Sequence, residues 1–178
     1  GPAPNTSEDI GGITWSSSYG KFYASLKSNS NNMWTSTDGK TWISEAMGFA
    51  GSNKKAIHAN GLGTIVGIDD VVGNVYRSTT GLAGSFSFQT KPPNSDTTMD
   101  DLTFSSTLGS GSGRWVLVGQ AVTTDYRRIW YSDNNASTWV QSSNNPSIIN
   151  RIFSVDWIPW LGMFICPRIG TSSGANLG

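Results

Sequence analysis

Ser36-Thr37-Asp38-Gly39-Lys40-Thr41-Trp42 reads as a tight polar turn closed by a large aromatic side chain, and the chain returns to it twice. Ser78-Thr79-Thr80-Gly81 followed by Ser85-Phe86 is a looser copy, and Ser132-Asp133-Asn134-Asn135 followed by Ser137-Thr138-Trp139 is another. The chemistry suits a strand reversal. Asp38 can accept hydrogen bonds from backbone N–H groups of its own turn. Gly39 supplies a positive φ at no steric cost. Ser36 and Thr41 can tie the two arms together, and Trp42 is expected to bury its ring between sheets. The third copy keeps an Asx side chain at Asn134 and takes one extra residue. In the second, Thr80 and Gly81 take over and Phe86 stands in for the tryptophan.

Working outward, each turn is preceded by a short strand with an aromatic centre: Met33-Trp34-Thr35, Val75-Tyr76-Arg77 and Ile129-Trp130-Tyr131. A fourth strand is expected to start at Trp42, Phe86 and Trp139. Further upstream lie paired apolar segments, of which Gly12-Ile13-Thr14-Trp15 with Gly20-Lys21-Phe22-Tyr23-Ala24 is the first. The later pairs lie around Ile57 and Ile65, Thr103 and Trp115, and Trp157 and Phe164. From Phe22 to Ile65 is 43 residues, to Trp115 another 50 and to Phe164 another 49. Four short strands at a period of roughly 40 to 50 residues are the signature of propeller blades. Alternating aromatic and β-branched segments punctuated by Gly and Asn support antiparallel strands, and no amphipathic helix stands out. Trp15, His58, Phe104 and Trp157 each lie five residues before a glycine, so they are expected to share one aromatic slot.

The fold expected is therefore all-β: a β-propeller of four-stranded antiparallel blades with about three and a half blades present. Residues 1–11 form a leader, in which Gly1-Pro2 reads as a scar of a cleaved tag. Residues 12–178 form the partial propeller, with blades at 12–54, 55–99, 100–150 and an incomplete 151–178. Three and a half blades leave a ring open and its sheet edges exposed. The chain is then either a fragment of a longer one or is completed by partner chains.

Composition narrows the partners. Charged residues make up 13% of the chain, about half the usual share of roughly 25%, with twelve basic side chains against twelve acidic ones. That balance argues against a nucleic-acid binder, which needs a basic footprint, and against a polybasic membrane anchor. No apolar run approaches the ~20 residues of a membrane span. A single cysteine, Cys166, excludes an intrachain disulfide framework.

The turn residues resemble the Asp-box, or BNR repeat, Ser-x-Asp-x-Gly-x-Thr-Trp. Ser36, Asp38, Gly39, Thr41 and Trp42 match it fully. Ser78, Gly81 and Phe86, and then Ser132, Asn134 and Trp139, match it in degenerate form. Such repeats occur in sialidases, sortilin-type receptors and propeller domains of phage tail proteins. The strand pattern looks most like the phage and microbial surface examples. The resemblance implies a scaffold role for these residues, at the blade periphery and away from any active face. It implies a virion, extracellular or cell-surface setting, and a glycan or protein receptor as partner. A homo-oligomer or larger assembly would complete the ring. No cofactor and no metal are implied.

Sialidase chemistry needs an arginine triad, a Tyr nucleophile with a Glu partner, and an Asp acid/base. Only Glu8 and Glu45 are present, and the family's Phe/Tyr-Arg-Ile-Pro motif is missing ahead of the first blade. No catalytic residue is assigned. Lone His58 and Cys166 read as packed strand residues. Asp69-Asp70 and Asp100-Asp101 read as carboxylate pairs in loops. Calcium favours such oxygen ligands, but neither pair has the spacing of a known calcium loop. The d-to-a and b-to-c connections share one face of a propeller, and loops on rigid scaffolds carry function. There Asp125, Tyr126, Arg127 and Arg128 offer an aromatic platform and two guanidinium forks, and Asp100 and Asp101 join them as candidate ligand-binding residues. Three functions stay open: a non-catalytic binding module, a piece of a sialidase-like glycoside hydrolase, or a structural spacer.

Overall fold

The computed structural model describes residues 9–27, 31–49, 53–69, 73–95, 98–109, 111–120, 127–143 and 152–167. Those residues form strands, turns and irregular segments, with no helix. Blade 1 is β1 (Ile10–Ser16), β2 (Lys21–Leu26), β3 (Asn32–Ser36) and β4 (Ile43–Ala46). Blade 2 is β5 (Lys54–Ala59), β6 (Ile65–Asp69), β7 (Val75–Ser78) and β8 (Ser87–Phe88). Blade 3 is β9 (Met99–Ser105), β10 (Arg114–Gln120), β11 (Arg127–Ser132) and β12 (Val140–Gln141). A two-stranded fourth sheet follows, β13 (Asp156–Ile158) and β14 (Met163–Ile165). Every sheet runs antiparallel in sequence order. The all-β, three-and-a-half-blade expectation holds. β1 takes in Ile10 and Gly11, which the sequence reading left in the leader. Trp42, Phe86 and Trp139 each stand one residue before the fourth strand rather than in it.

The first strands of successive blades lie side by side, β1 against β5, β5 against β9 and β9 against β13. Backbones come close there: a Cβ placed on Gly11 would sit 1.9 Å from the Lys54 carbonyl oxygen. Because side chains alternate across a strand, each blade has a front row facing the preceding blade and a back row facing the next. The front row of blade 3, built on the cross-strand pairs Phe104–Trp115 and Leu102–Leu117, packs on Val66, Ile68 and Val75 from the back of blade 2. The front of blade 2, with Ile57, Ile65 and Tyr76, packs on Tyr23 and Met33 of blade 1. Val116 and Val118 at the back of blade 3 meet Val155 and Phe164.

One residue of the repeat sits differently from its expected slot. Trp15 pairs with Phe22, Phe104 with Trp115 and Trp157 with Phe164. In blade 2 the residue opposite Ile65 is Ala59, and His58 pairs with Val66. A one-residue offset moves a side chain to the other face. His58 therefore leaves the shared aromatic slot and points back toward blade 3, edge-on to Trp115 at 5.9 Å.

The turn motifs are pinned as the residue types dictate. Ser36 Oγ donates to Asp38 Oδ1 at 3.0 Å and accepts from the Gly39 amide at 2.9 Å. Asp38 Oδ1 accepts from the amides of Lys40 and Thr41 at 2.8 and 2.7 Å. The Gly81 amide reaches Ser78 Oγ at 2.9 Å, and the Ala136 amide reaches Ser132 Oγ at 3.0 Å. Ala136, at φ 59°, thus fills the place of Gly39 and Gly81, and the extra residue lies before it. Each later hairpin is also held by the blade before it. Tyr23, its hydroxyl raised to about 12 by burial and by the nearby Tyr19 and Glu45, donates to the Gly81 carbonyl at 3.1 Å. Arg77 donates to the Asn135 carbonyl at 2.9 Å and to Ser137 Oγ. Trp139 and Phe86 are buried, whereas Trp42 is only half-buried, and among the described residues no sheet packs over its face of blade 1.

The amide bonds hold the Asp38 carboxyl at about 2, below its ordinary 3.8. A depressed folded value means the stabilisation is complete above pH 3.8 and drains away as pH falls toward 2. Asp38→Ala is expected to melt below the parent at neutral pH. The gap should close across that acid window in a thermal titration.

Candidate binding face

The inner strands converge on a polar funnel of about 530 Å³. It opens at the starts of β1, β5, β9 and β13, the end of the blades from which the d-to-a and b-to-c connections emerge. Each blade contributes a short run at its inner edge: Gly11 to Ile13 with Lys27, Lys55 to His58, Asp100 to Thr103, and Ser154 to Asp156.

The charges in this funnel are positioned by partners from neighbouring blades. Lys55 Nζ donates to Asp100 Oδ1 at 2.8 Å, and the Asp100 side chain is wholly buried. Asp101 Oδ2 accepts from Ser154 Oγ at 2.7 Å and from the Val155 amide at 3.0 Å, while its Oδ1 accepts from the Leu102 amide at 2.9 Å. The two adjacent carboxylates therefore point to opposite neighbours, one fastening blade 3 to blade 2 and the other to the fourth sheet. Asp156 and Lys27 are exposed at the rim, and His58 is half-buried in the wall. Burial holds the His58 imidazole below its ordinary 6.5, opposed by the carboxylates of Asp101 and Asp156.

This placement corrects the reading of the acidic pairs. Asp100 and Asp101 stand in β9 and Asp69 ends β6, so none is a loop carboxylate. Asp69, fully buried, accepts from the Asn74 amide at 3.2 Å and from Asn74 Nδ2 at 3.0 Å. Of the other candidates, Asp125 and Tyr126 lie outside the described residues, as does Asp70. Arg127 opens β11, opposite Gln120. Arg128 lies opposite Gly119 with its Nε buried. The structure thus brings Asp100 and Asp101 into one site, together with Lys27, Lys55, His58 and Asp156, which sequence reasoning left aside. The missed signal was positional: blades 2, 3 and 4 each carry a charged residue at the start of their inner strand.

Arg77 and Arg114 do not converge. Arg77 is held on the next blade's hairpin. Arg114 makes a two-pronged ion pair with Asp133 at 2.7 and 2.8 Å and lies over the Tyr131 ring at 4.8 Å. Among the described residues no cluster of His, Cys, Asp or Glu could hold a metal ion. Cys166 is half-buried beside the back of blade 3, and burial pushes its thiol up.

The sheet architecture is that of a β-propeller, and solved structures agree. YCF48 bound to D1 peptide matches with a TM-score of 0.59 and 16% identity, over 95% of this chain and 50% of that one. A chain of the nidogen/laminin complex matches at 0.64 and 10% identity, over 90% of this chain and 57% of that one. A chain of the mitotic checkpoint complex matches at 0.62 and 11%, over 94% and 48%. The chain thus spans about half the length of these neighbours, and at such identities the likeness is one of fold. No family model and no curated protein matches the sequence.

A pH prediction follows from His58. Its folded value is depressed, so below 6.5 the unfolded chain takes up the proton more readily and stability falls with pH. His58→Gln should flatten the stability profile between pH 6.5 and 5. Urea titrations at both ends of that interval would show it.

Proposed function

We propose that this chain is a non-catalytic propeller module of an appendage or cell-surface protein, such as a phage tail, and that it binds a protein segment or a glycan at the funnel face. The observation that carries the reading is the funnel itself: fixed charges of both signs, contributed by several blades and held on rigid strands. Such preorganisation spares a site the ordering cost of binding. Three further observations fit: Arg77 and Arg114 engaged apart from each other, the hairpins at Ser36, Ser78 and Ser132 tied up in turn hydrogen bonds, and neighbours solved in peptide and protein complexes.

The test is a glycan array and a panel of surface-protein ectodomains probed with the purified chain, then with Lys27→Glu and Asp156→Ala. Both positions are exposed, so the fold should survive. Binding should fall at least tenfold in one or both variants and stay unchanged in Asp38→Ala. Affinity that ignores the rim residues but drops with Asp38→Ala would overturn the assignment of the face. Turnover of a fluorogenic sialoside would overturn the non-catalytic reading.

A further inference from the structure

The charges of the funnel are sorted by side. Lys27 and Lys55 come from blades 1 and 2, and Asp100, Asp101 and Asp156 from blade 3 and the fourth sheet. Where the two sides meet, Lys55 and Asp100 pair at 2.8 Å and neutralise each other. Asp101 and Asp156 remain. Both are fixed by neutral donors: Asp101 by Ser154 Oγ and the Leu102 and Val155 amides, Asp156 by the Trp157 amide at 2.8 Å. Hydrogen bonds of this kind orient a carboxylate without cancelling its charge. Among the described residues no lysine or arginine side chain pairs with either of them. The two carboxylates also act on one point, the His58 imidazole in the wall. Burial holds that ring below its ordinary 6.5, so at pH 7 it is mostly uncharged and offsets neither.

We propose that the funnel takes a basic side chain, a lysine or arginine carried on a protein segment, with its cation against Asp101 and Asp156. This rests on the reading of the funnel as a binding face and names the chemistry that the face selects. Charge complementarity sets the choice, because unlike charges across an interface fix the partner and like charges reject the wrong one. Ile13 and Ala56 also line the cavity. They suit the methylene stem that lysine and arginine lay along apolar surface while the charged head reaches polar groups. The ammonium of an amino sugar sits directly on its ring and has no such stem, which favours protein over glycan. The volume of about 530 Å³ falls within the roughly 300–1,000 Å³ of pockets that enclose a small ligand, room for the side chain and part of its backbone.

The test offers the immobilised chain matched pools of nonapeptides, acetylated and amidated at their ends. Random uncharged residues surround a central lysine, arginine, norleucine or glutamate, and retained peptide is quantified by mass spectrometry. The lysine or arginine pool should be retained about tenfold over the norleucine pool, which keeps the stem and lacks the charge. The glutamate pool should be retained least. Asp156 is exposed and its printed bond stays within its own strand, so Asp156→Asn should keep the fold and lose most of the preference. Asp156→Lys should turn the preference toward glutamate, which a damaged fold would not do. A chitosan hexamer, an ammonium without a stem, should compete poorly. A basic preference unchanged in both Asp156 variants would overturn the inference. Retention led by the norleucine or glutamate pool, or chitosan outcompeting the lysine peptides, would do the same. If no pool is retained the inference falls. The binding face then stands where the glycan array or ectodomain panel still gives a hit sensitive to Lys27→Glu, and falls too where neither does.

Discussion

Replacing Trp115 by alanine is expected to lower stability by about 3–5 kcal/mol, the range for deleting a large aromatic from a packed core. Trp115 is fully buried. Its ring lies 4.9 Å from Phe104 in its own blade and 5.9 Å from His58 in the blade before. The substitution therefore hollows out a seam between two sheets rather than the middle of one. Two rigid ladders close such a gap poorly, so the cost should fall in the upper part of that range. Urea unfolding would measure it as a lower midpoint. Trp15→Ala is the control: Trp15 lies in the matching row of blade 1, paired with Phe22 as Phe104 is with Trp115, but it is half exposed, so it should cost well under half as much.

Gly11→Ala should be nearly as damaging, for the opposite reason. The added methyl would meet the Lys54 carbonyl oxygen at 1.9 Å. That atom belongs to the neighbouring inner strand and cannot swing aside as a side chain would. Relief requires β1 and β5 to part, and overpacking of this sort costs about 3 kcal/mol. Gly20→Ala is a useful comparison: nothing stands within 4 Å of the added atom, so its cost is confined to the left-handed φ of 59°, about 1 kcal/mol. The second variant should retain most of the melting temperature that the first one loses.

The repeat was legible because its signals are local. Serine, an Asx or Thr side chain and a small residue shape each hairpin within a few positions, and aromatic rows recur at a fixed distance from them. The period therefore survived even where Asn134 and Ala136 replace the stricter residues. The funnel was not legible, because it is assembled across blades. Asp100 and Asp101 look like any loop carboxylates until β9 is laid between its neighbours, whereupon one meets Lys55 and the other Ser154. The displacement of His58 was hidden for a related reason. Its distance to the next glycine is the same as in the other units, and only the ladder pairing reveals that the blade 2 turn holds one residue more.

That offset places the chain's single histidine in contact with both the aromatic seam and the polar mouth. A proton on its imidazole ring lies in the ring-current field of Trp115, while the ring nitrogens respond to the carboxylates around the entrance. With no second histidine to overlap it, one resonance in a nuclear magnetic resonance spectrum would report whether the seam is tight and whether the mouth is occupied. The molecule thus contains its own probe of both events, with no label attached.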